Sequence, residues 1–449
     1  MLRASTLRES QLLLGLGLPI ILTQVAQASL GFIDTLVAGR YNTLDLAAVA
    51  LGNSIWMPLF LAVNGIIMAT TPLVAHATGA KNASEVPTIF RQGLWISAFL
   101  GLLGLVLLRN ADGILALMSV EATLADKTME YLKAVAWGFP AMALYQLLRC
   151  YFEGLGRTRP AMYIAFLAVA ANAPLNYVLV FGKLGFPELG AAGCGIATAL
   201  VMWMMLFIGL YLQRHRSTLR LPHTDNLKLI DLSALIVFLK LGIPIGFSIL
   251  IEASMFSIIA LILAPLGTLV VAAQQITITV TGLIFMIPLS LAMAFTIRIG
   301  QLLGAGEYAH ARFASKVGFG MTGLIAVVTS VLLWSFAQQI AMAFSTEAEV
   351  VKLAAGLLTI AALFEISDAM QVTAAGILRG YKDTSIPLLI VFVAYWVVGL
   401  PLGYILGMTD WITAPMGAAG FWYALVIGLT VSALFLTVRL VSVIRHAGR

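Results

Sequence analysis

The chain is short of charge. Only 10% of its 449 residues are Asp, Glu, Lys or Arg, against roughly 25% in a water-soluble domain. So few charges cannot clothe a water-facing surface, and a bilayer must be the main solvent. Cysteine is scarce too. Cys150 and Cys194 are the two present, too few for a disulfide framework and without metal-ligand spacing, so both are expected as small apolar residues inside helices. A Gly-x-x-x-x-Gly-Lys phosphate loop is missing, which argues against direct ATP drive. Nor does a Ser-His-Asp or metal-hydrolase pattern form around the five histidines; the chain is not expected to be an enzyme or to carry a cofactor, and His76 reads as structural. The net charge of +6 does not point to nucleic acid, because the basic residues sit in short loops between apolar runs and form no patch.

What the chain has is hydrophobic length. Apolar residues make up 61%, in continuous runs such as 100–108 and 258–263. Backbone groups in lipid must be satisfied internally, by helices or by a closed barrel. Barrel strands alternate polar and apolar residues, and these runs do not, so the fold is expected to be an all-α membrane protein. With about 20 residues per crossing, twelve spans are predicted. The first six are 12–38, 46–73, 92–109, 128–150, 160–182 and 190–212. The second six are 234–263, 270–298, 313–337, 350–378, 385–408 and 417–440. The first apolar stretch is too long for a signal h-region and lacks a small-residue cleavage site, so it reads as a helix of the mature chain.

Positive charge is retained on the cytoplasmic side. With both termini inside, 20 of the 26 Lys and Arg fall there, including Arg3, Arg8, Lys81, Arg149, Arg157, Arg298, Arg379 and Arg449. The longest polar stretch, 213–233, contains Arg214, Arg216, Arg220 and Lys228, and is expected to be a cytoplasmic linker between an N-terminal six-helix lobe, 1–212, and a C-terminal six-helix lobe, 234–449.

The two halves repeat one another at an offset of about 225 residues. Leu16-Gly17-Leu18-Pro19-Ile20 matches Leu241-Gly242-Ile243-Pro244-Ile245. Gly79-Ala80 matches Gly304-Ala305. At slightly larger offsets Pro174-Leu175-Asn176-Tyr177 matches Pro401-Leu402-Gly403-Tyr404, and Gly190-Ala191-Ala192-Gly193 matches Gly417-Ala418-Ala419-Gly420. Six helices per half insert the same way up, which predicts two bundles related by a pseudo-twofold axis along the membrane normal. Transporters built from such repeats hold substrate between the halves and rock one against the other. Pro19 and Pro244 lie inside spans 1 and 7, where proline removes a backbone donor and bends a helix; both are hinge candidates.

Four acidic residues fall within predicted spans and away from the first and last three residues of each: Asp34, Glu252, Glu365 and Asp368. An intramembrane charge costs at least about 2.5–3.5 kcal/mol, and no basic residue is evidently placed to pair with them; Arg298 and Arg379 sit at span ends, where they can snorkel. Such carboxylates should take up a proton, bind a cation or face water, and all three outcomes suit a cation-handling site. Asn172 and Asn176 share a face of span 5. Together with Thr198 they would give Asp34 the oxygen-rich surroundings that a hard cation favours. Glu365 and Asp368 share a face of span 10, and two carboxylates so close rarely both ionise. In the repeat Asp34 aligns with Ile259 and Glu252 with Gln27, so the halves share a scaffold and differ in ion chemistry.

These residues resemble the multidrug and toxic compound extrusion (MATE) family, in its NorM-like branch, over essentially the whole chain. The segments that carry the resemblance are Gly31-Phe32-Ile33-Asp34-Thr35, Glu252, Ile366-Ser367-Asp368-Ala369-Met370-Gln371-Val372, Leu378-Arg379-Gly380-Tyr381-Lys382-Asp383-Thr384 and the loop from Tyr151 to Pro160. The resemblance implies the MATE-type fold and export of cationic small molecules, driven by sodium or proton entry across a bacterial inner membrane, by a monomer in contact with membrane lipids. It implies that Asp34, Glu252 and Asp368 bind the coupling cation, sodium among the options, or contact cationic drugs. It further implies that Asn172, Asn176 and Thr198 complete a site around Asp34, and that Pro19 marks a bend in the first helix. The chain departs from the pattern at Glu365, often an uncharged amide in similar sequences, and at Phe364, often tyrosine.

A substrate cleft lined by spans 1, 2, 7 and 8 is expected, with Trp56, Met57, Met68, Phe256, Phe285 and Met286 as candidates. Aromatic faces attract organic cations, and methionines repack around varied shapes. Two alternatives remain at this point: a lipid-linked oligosaccharide flippase of the same superfamily, and a membrane receptor that transports nothing. A flippase cleft tends to carry basic residues for phosphate, whereas the intramembrane charges here are acidic.

Overall fold

The computed structural model describes residues 2–82, 84–118, 120–221 and 230–447. The part of the expected linker at 222–229, with Lys228, lies outside the described residues, as do Arg449 and the side chain of Arg3.

Among the described residues the chain is helical throughout, without strands. The principal helices are α1 (Leu2–Tyr41), α2 (Thr43–Gly79), α3 (Glu85–Arg109), α4 (Ala122–Ala136, resuming as Phe139–Gly154), α5 (Arg159–Val180) and α6 (Ala191–His215). Then come α7 (Leu232–Leu263), α8 (Thr268–Gly304), α9 (Tyr308–Phe344), α10 (Ala348–Gly380), α11 (Ser385–Met408) and α12 (Ala418–His446). Eleven of these are long and apolar enough to cross a membrane. The exception is α4. The predicted span 128–150 is longer than expected and is divided at Trp137 and Gly138. Pro140 has no N–H to donate back to Ala136, and a side chain at Gly138 would meet the Cα of Ala199 on α6 at 2.7 Å. The helix thus breaks beside a close approach to its neighbour α6.

The repeated Gly-Ala-Ala-Gly stretches do the same work twice. Gly190 and Gly417 take positive φ values of 53° and 57°, a conformation that favours glycine, and start α6 and α12. Three residues on, a Cβ at Gly193 would lie 2.8 Å from the backbone of Leu179, and one at Gly420 2.6 Å from the amide of Gly407. Each final helix is thus packed backbone to backbone on the helix before it. In the first half Asp45 adds a cap: its buried carboxylate accepts from the amide of Ala191 at the start of α6. Position 270, the aligned one, is valine.

The structure resolves into two compact units, one of Leu22–Gly246 and one of Met1–Ile21 with Phe247–Arg449. This division differs from the sequence lobes 1–212 and 234–449. It falls inside α1 and α7, two residues beyond Pro19 and Pro244, and both helices run through their prolines without interruption. Proline removes a backbone bond and frees a helix to change direction, and the division coincides with the two hinge candidates and not with the polar linker. The two halves differ at a second pair of prolines. The α5 helix stays regular around Pro174, whereas α11 widens into a π-helical stretch, Val393–Gly399, just before Pro401. Such π stretches are common at functional sites.

Candidate functional site

In the unit Leu22–Gly246, the Asp34 carboxylate is buried on α1 and held by α5 and α6. Asn176 donates its amide to Oδ1 at 2.8 Å and Asn172 donates to the same oxygen at 3.2 Å. Thr198 donates its hydroxyl to Oδ2 at 2.8 Å. Residues four apart on a helix share a face, which is how α5 presents both asparagines together. Their own carbonyl oxygens, Oδ1 of each, are buried with no hydrogen-bond partner. Buried acceptors are ordinarily satisfied. Two idle amide oxygens beside a carboxylate and a hydroxyl form a set of hard oxygen donors. Cys194, expected as an inert apolar residue, lies close as well, its Sγ 3.8 Å from the backbone carbonyl of Asp34.

A second polar cluster in this unit lies outside the sequence candidates. Arg149, counted above as a charge at a span end, is buried. Its Nε donates to Glu153 at 2.8 Å, its Nη1 to Gln27 at 2.9 Å and its Nη2 to Gln24 at 3.0 Å.

In the other unit, Glu252 on α7 accepts from the Gln371 amide on α10 at 2.9 Å, and the same amide nitrogen lies 3.4 Å from the Tyr395 hydroxyl in the π-helical stretch of α11. Glu365 and Asp368 are both buried on α10, and Asp368 is close enough to Glu252 for their charges to interact. Glu365 Oε1 and Gln371 Oε1 are buried without partners. Arg379, expected at a span end, is half-buried and donates its Nε to the Ala375 carbonyl of its own helix at 3.3 Å. From α10, Gln371 thus bonds Glu252 directly. Arg298 is engaged elsewhere in the same unit. It grips Glu9 of α1 through two nitrogens, at 2.7 and 3.0 Å, with His310 3.1 Å from the same carboxylate.

Among the described residues no three His, Cys, Asp or Glu side chains converge as metal ligands usually do. Asp34 lies in one unit and Glu252, Glu365 and Asp368 in the other.

The cleft candidates divide likewise. Trp56, Met57 and Met68 belong to the first unit, and Phe256, Phe285 and Met286 to the second. Trp56 is buried, and its indole donates to Asn53 at 2.7 Å, an acceptor it shares with the Tyr131 hydroxyl at 2.8 Å; its ring is committed to the interior. Phe256 packs edge-on against Phe364, in the same cluster as Trp422. Met57 is exposed, and Met68, Phe285 and Met286 are half-buried. A cavity of about 470 Å³ in the second unit is lined by Phe247, Ile251, Leu388, Phe392 and Trp396 among others, none of them a sequence candidate.

Comparison with known proteins agrees with this architecture. The MatE family model matches twice, over residues 19–178 and 244–405, so the matches open on Pro19 and Pro244, at the offset of the internal repeat. Among solved structures, the eukaryotic MATE transporter AtDTX14 superposes with a TM-score of 0.88 at 22% identity, over 99% of each chain. The Vibrio cholerae MATE transporter VcmN in its bent form gives 0.88 at 19% identity, over 99% of each chain. A MOP-superfamily transporter from Pyrococcus furiosus, described as having a binding pocket of reversed polarity, gives 0.87 at 21% identity, over 98% of this chain and 97% of that one. At such identities the superpositions establish the fold, and the family match extends over well more than half the sequence. The chain is a multi-pass membrane protein that belongs to the multidrug and toxic compound extrusion family of transporters.

Proposed function

We propose that this transporter is a cation-coupled antiporter that exports amphiphilic organic cations by alternating access, driven by inward movement of sodium or protons, with sodium favoured by the NorM-like motifs. The observation that carries the reading is the Asp34 carboxylate, buried within a membrane-crossing helix and surrounded by Asn172, Asn176 and Thr198, with both amide oxygens unpartnered. A buried carboxylate without a guanidinium or ammonium beside it draws in a cation or a proton. Glu252, Asp368 and Glu365 form the second acidic cluster, with Gln371 bonded to Glu252. Acidic rather than basic groups within the spans favour cationic cargo. Aromatic and methionine side chains such as Phe256, Phe285, Met286, Met57 and Met68 supply adaptable apolar contacts, and Trp56 enters through packing. Pro19 and Pro244, each two residues before a change of unit, are the hinges.

The energetics are favourable. Moving one positive charge outward against 100 mV, inside negative, costs about 2.3 kcal/mol. One cation moving inward regains that term, and its concentration gradient adds more. The cation can bias the cycle only through its differential affinity for the two states, which a site made from α1, α5 and α6 provides if α1 leaves in one of them. The protein acts as a monomer in a bacterial inner membrane, and the Lys and Arg distribution supports an orientation with both termini cytoplasmic. The test is efflux of an ethidium-like dye at fixed pH with sodium replaced by potassium. Loss of efflux supports sodium coupling, persistence with a proton gradient supports protons, and efflux indifferent to both gradients overturns the reading.

A further inference from the structure

The first-half unit holds α1 at two depths. Gln27 and Asp34 are seven residues apart and so lie on one face of α1, about two turns from each other. At the outer point Asp34 is bonded to Asn172, Asn176 and Thr198. At the other point the Arg149 guanidinium spreads its three nitrogens over Glu153, Gln27 and Gln24, at 2.8, 2.9 and 3.0 Å. Arg149 and Glu153 are 2% and 1% exposed, and Gln24 and Gln27 are half-buried, so the ion pair is desolvated and its two amide partners partly so.

The division of charge is informative. Arg149 and Glu153 are neighbours on a single turn of α4, and their ion pair does not cross to another helix. What crosses to α1 is a pair of guanidinium–amide bonds. Breaking an ion pair between helices would strand a buried charge, which is strongly unfavourable. Parting α1 from Arg149 strands none, because Glu153 stays. The contact is therefore firm, geometrically specific and separable, since a planar fork is needed to reach three acceptors at once. The second half uses other groups: Glu252 on α7 accepts there from Gln371 on α10. Gln27 aligns there with Glu252, and position 375, which aligns with Arg149, is alanine.

We propose that Arg149 is a positioning residue for cation coupling: through Gln24 and Gln27 it holds the Asp34-bearing part of α1 against α4 and sets how readily that part leaves. The inference rests on reading Asp34 as the coupling site.

Two substitutions at one position push the hold in opposite directions. Gln27→Glu places a carboxylate opposite Arg149, and hydrogen bonds between ionised partners are roughly twice as strong as neutral ones. Gln27→Leu removes the acceptor at similar volume. In proteoliposomes with a dye substrate, Gln27→Glu is expected to slow maximal ion-driven efflux by roughly tenfold, with the half-saturating ion concentration within about twofold of wild type, as a tighter hold requires. Gln27→Leu is expected to pass dye without an ion gradient, and Arg149→Lys to behave like it. A purely structural role predicts that both Gln27 variants lose activity together, in proportion to folded protein, and that result overturns the proposal, as does wild-type behaviour in both. Spin labels at the exposed positions Leu36 and Leu167 read the hold without transport: a narrower distance distribution in Gln27→Glu than in Gln27→Leu is expected. Identical distributions overturn the hold even if dye efflux proves not to be ion-driven, whereas distinct distributions with no ion-driven efflux retain the hold and reject the coupling reading.

Discussion

Asn176 donates its side-chain amide to the Asp34 carboxylate at 2.8 Å across 142 residues of sequence, and leaves its own carbonyl oxygen without a partner. Its donor fixes the carboxylate, and in the proposed coupling site its acceptor is a ligand for the cation. Asn176→Leu deletes both. Hydrogen bonds to charged groups are worth about 1.5–3 kcal/mol, so the half-saturating ion concentration is expected to rise roughly tenfold or more, while dye affinity measured without an ion gradient stays within about twofold. The ion dependence of dye efflux checks this; an unchanged half-saturation would remove Asn176 from the site.

Gln371 orients Glu252 from α10. Glu252→Gln removes the charge and is expected to abolish ion-driven efflux. Gln371→Leu keeps the charge and loses one bond to it, so a partial loss of roughly tenfold is expected. Equal loss in the two variants would mean that the charge at Glu252 is not what matters. Initial efflux rates at saturating dye separate these outcomes.

Asp45 caps the first turn of α6 through the Ala191 amide. Loss of an N-cap acceptor costs about 1 kcal/mol, so Asp45→Ala is expected to lower the thermal unfolding midpoint in detergent by a few degrees and to leave efflux per folded molecule unchanged. A selective fall in efflux at unaltered stability would point instead to an ion role for this buried acid.

Gly420 lets α12 lie on the backbone of α11. Gly420→Val places methyl groups where the Gly407 amide stands, and overpacking of this kind costs about 1–3 kcal/mol. A sharp drop in folded yield is expected, read by size-exclusion chromatography, with the same result for Gly193→Val in the first half. A monodisperse, wild-type yield from either variant would contradict the close packing.

Much of the fold was legible because the bilayer imposes a simple rule. Continuous apolar runs became helices, and the repeated Gly-Ala-Ala-Gly motif marked two equivalent close contacts. The break in α4 was less legible, since it depends on Gly138 meeting Ala199 on another helix. The π-helical stretch of α11 had no sequence signal either, because Pro174 and Pro401 align and only one is accompanied by widening. The division into units inside α1 and α7 was hidden by the polar linker, the more conspicuous boundary.

At the sites, Asp34 with Asn172, Asn176 and Thr198 could be assembled from intramembrane charge and helical spacing. Arg149 was concealed by its apparent position at a span end, where arginines ordinarily reach for water. The signals that reveal it are local: Arg149 and Glu153 are four apart on one face, and Gln24 and Gln27 are three apart on α1. The buried bond from Trp56 to Asn53 was not legible either, because an indole suited to a cation is equally suited to such a bond.

The most direct test of coupling at Asp34 is dye efflux from proteoliposomes carrying wild type or Asp34→Asn, with an inward cation gradient imposed at fixed pH. Cation-driven efflux in wild type and none above the gradient-free baseline in Asp34→Asn is the predicted result. Equal gradient-driven efflux from the two proteins would contradict it.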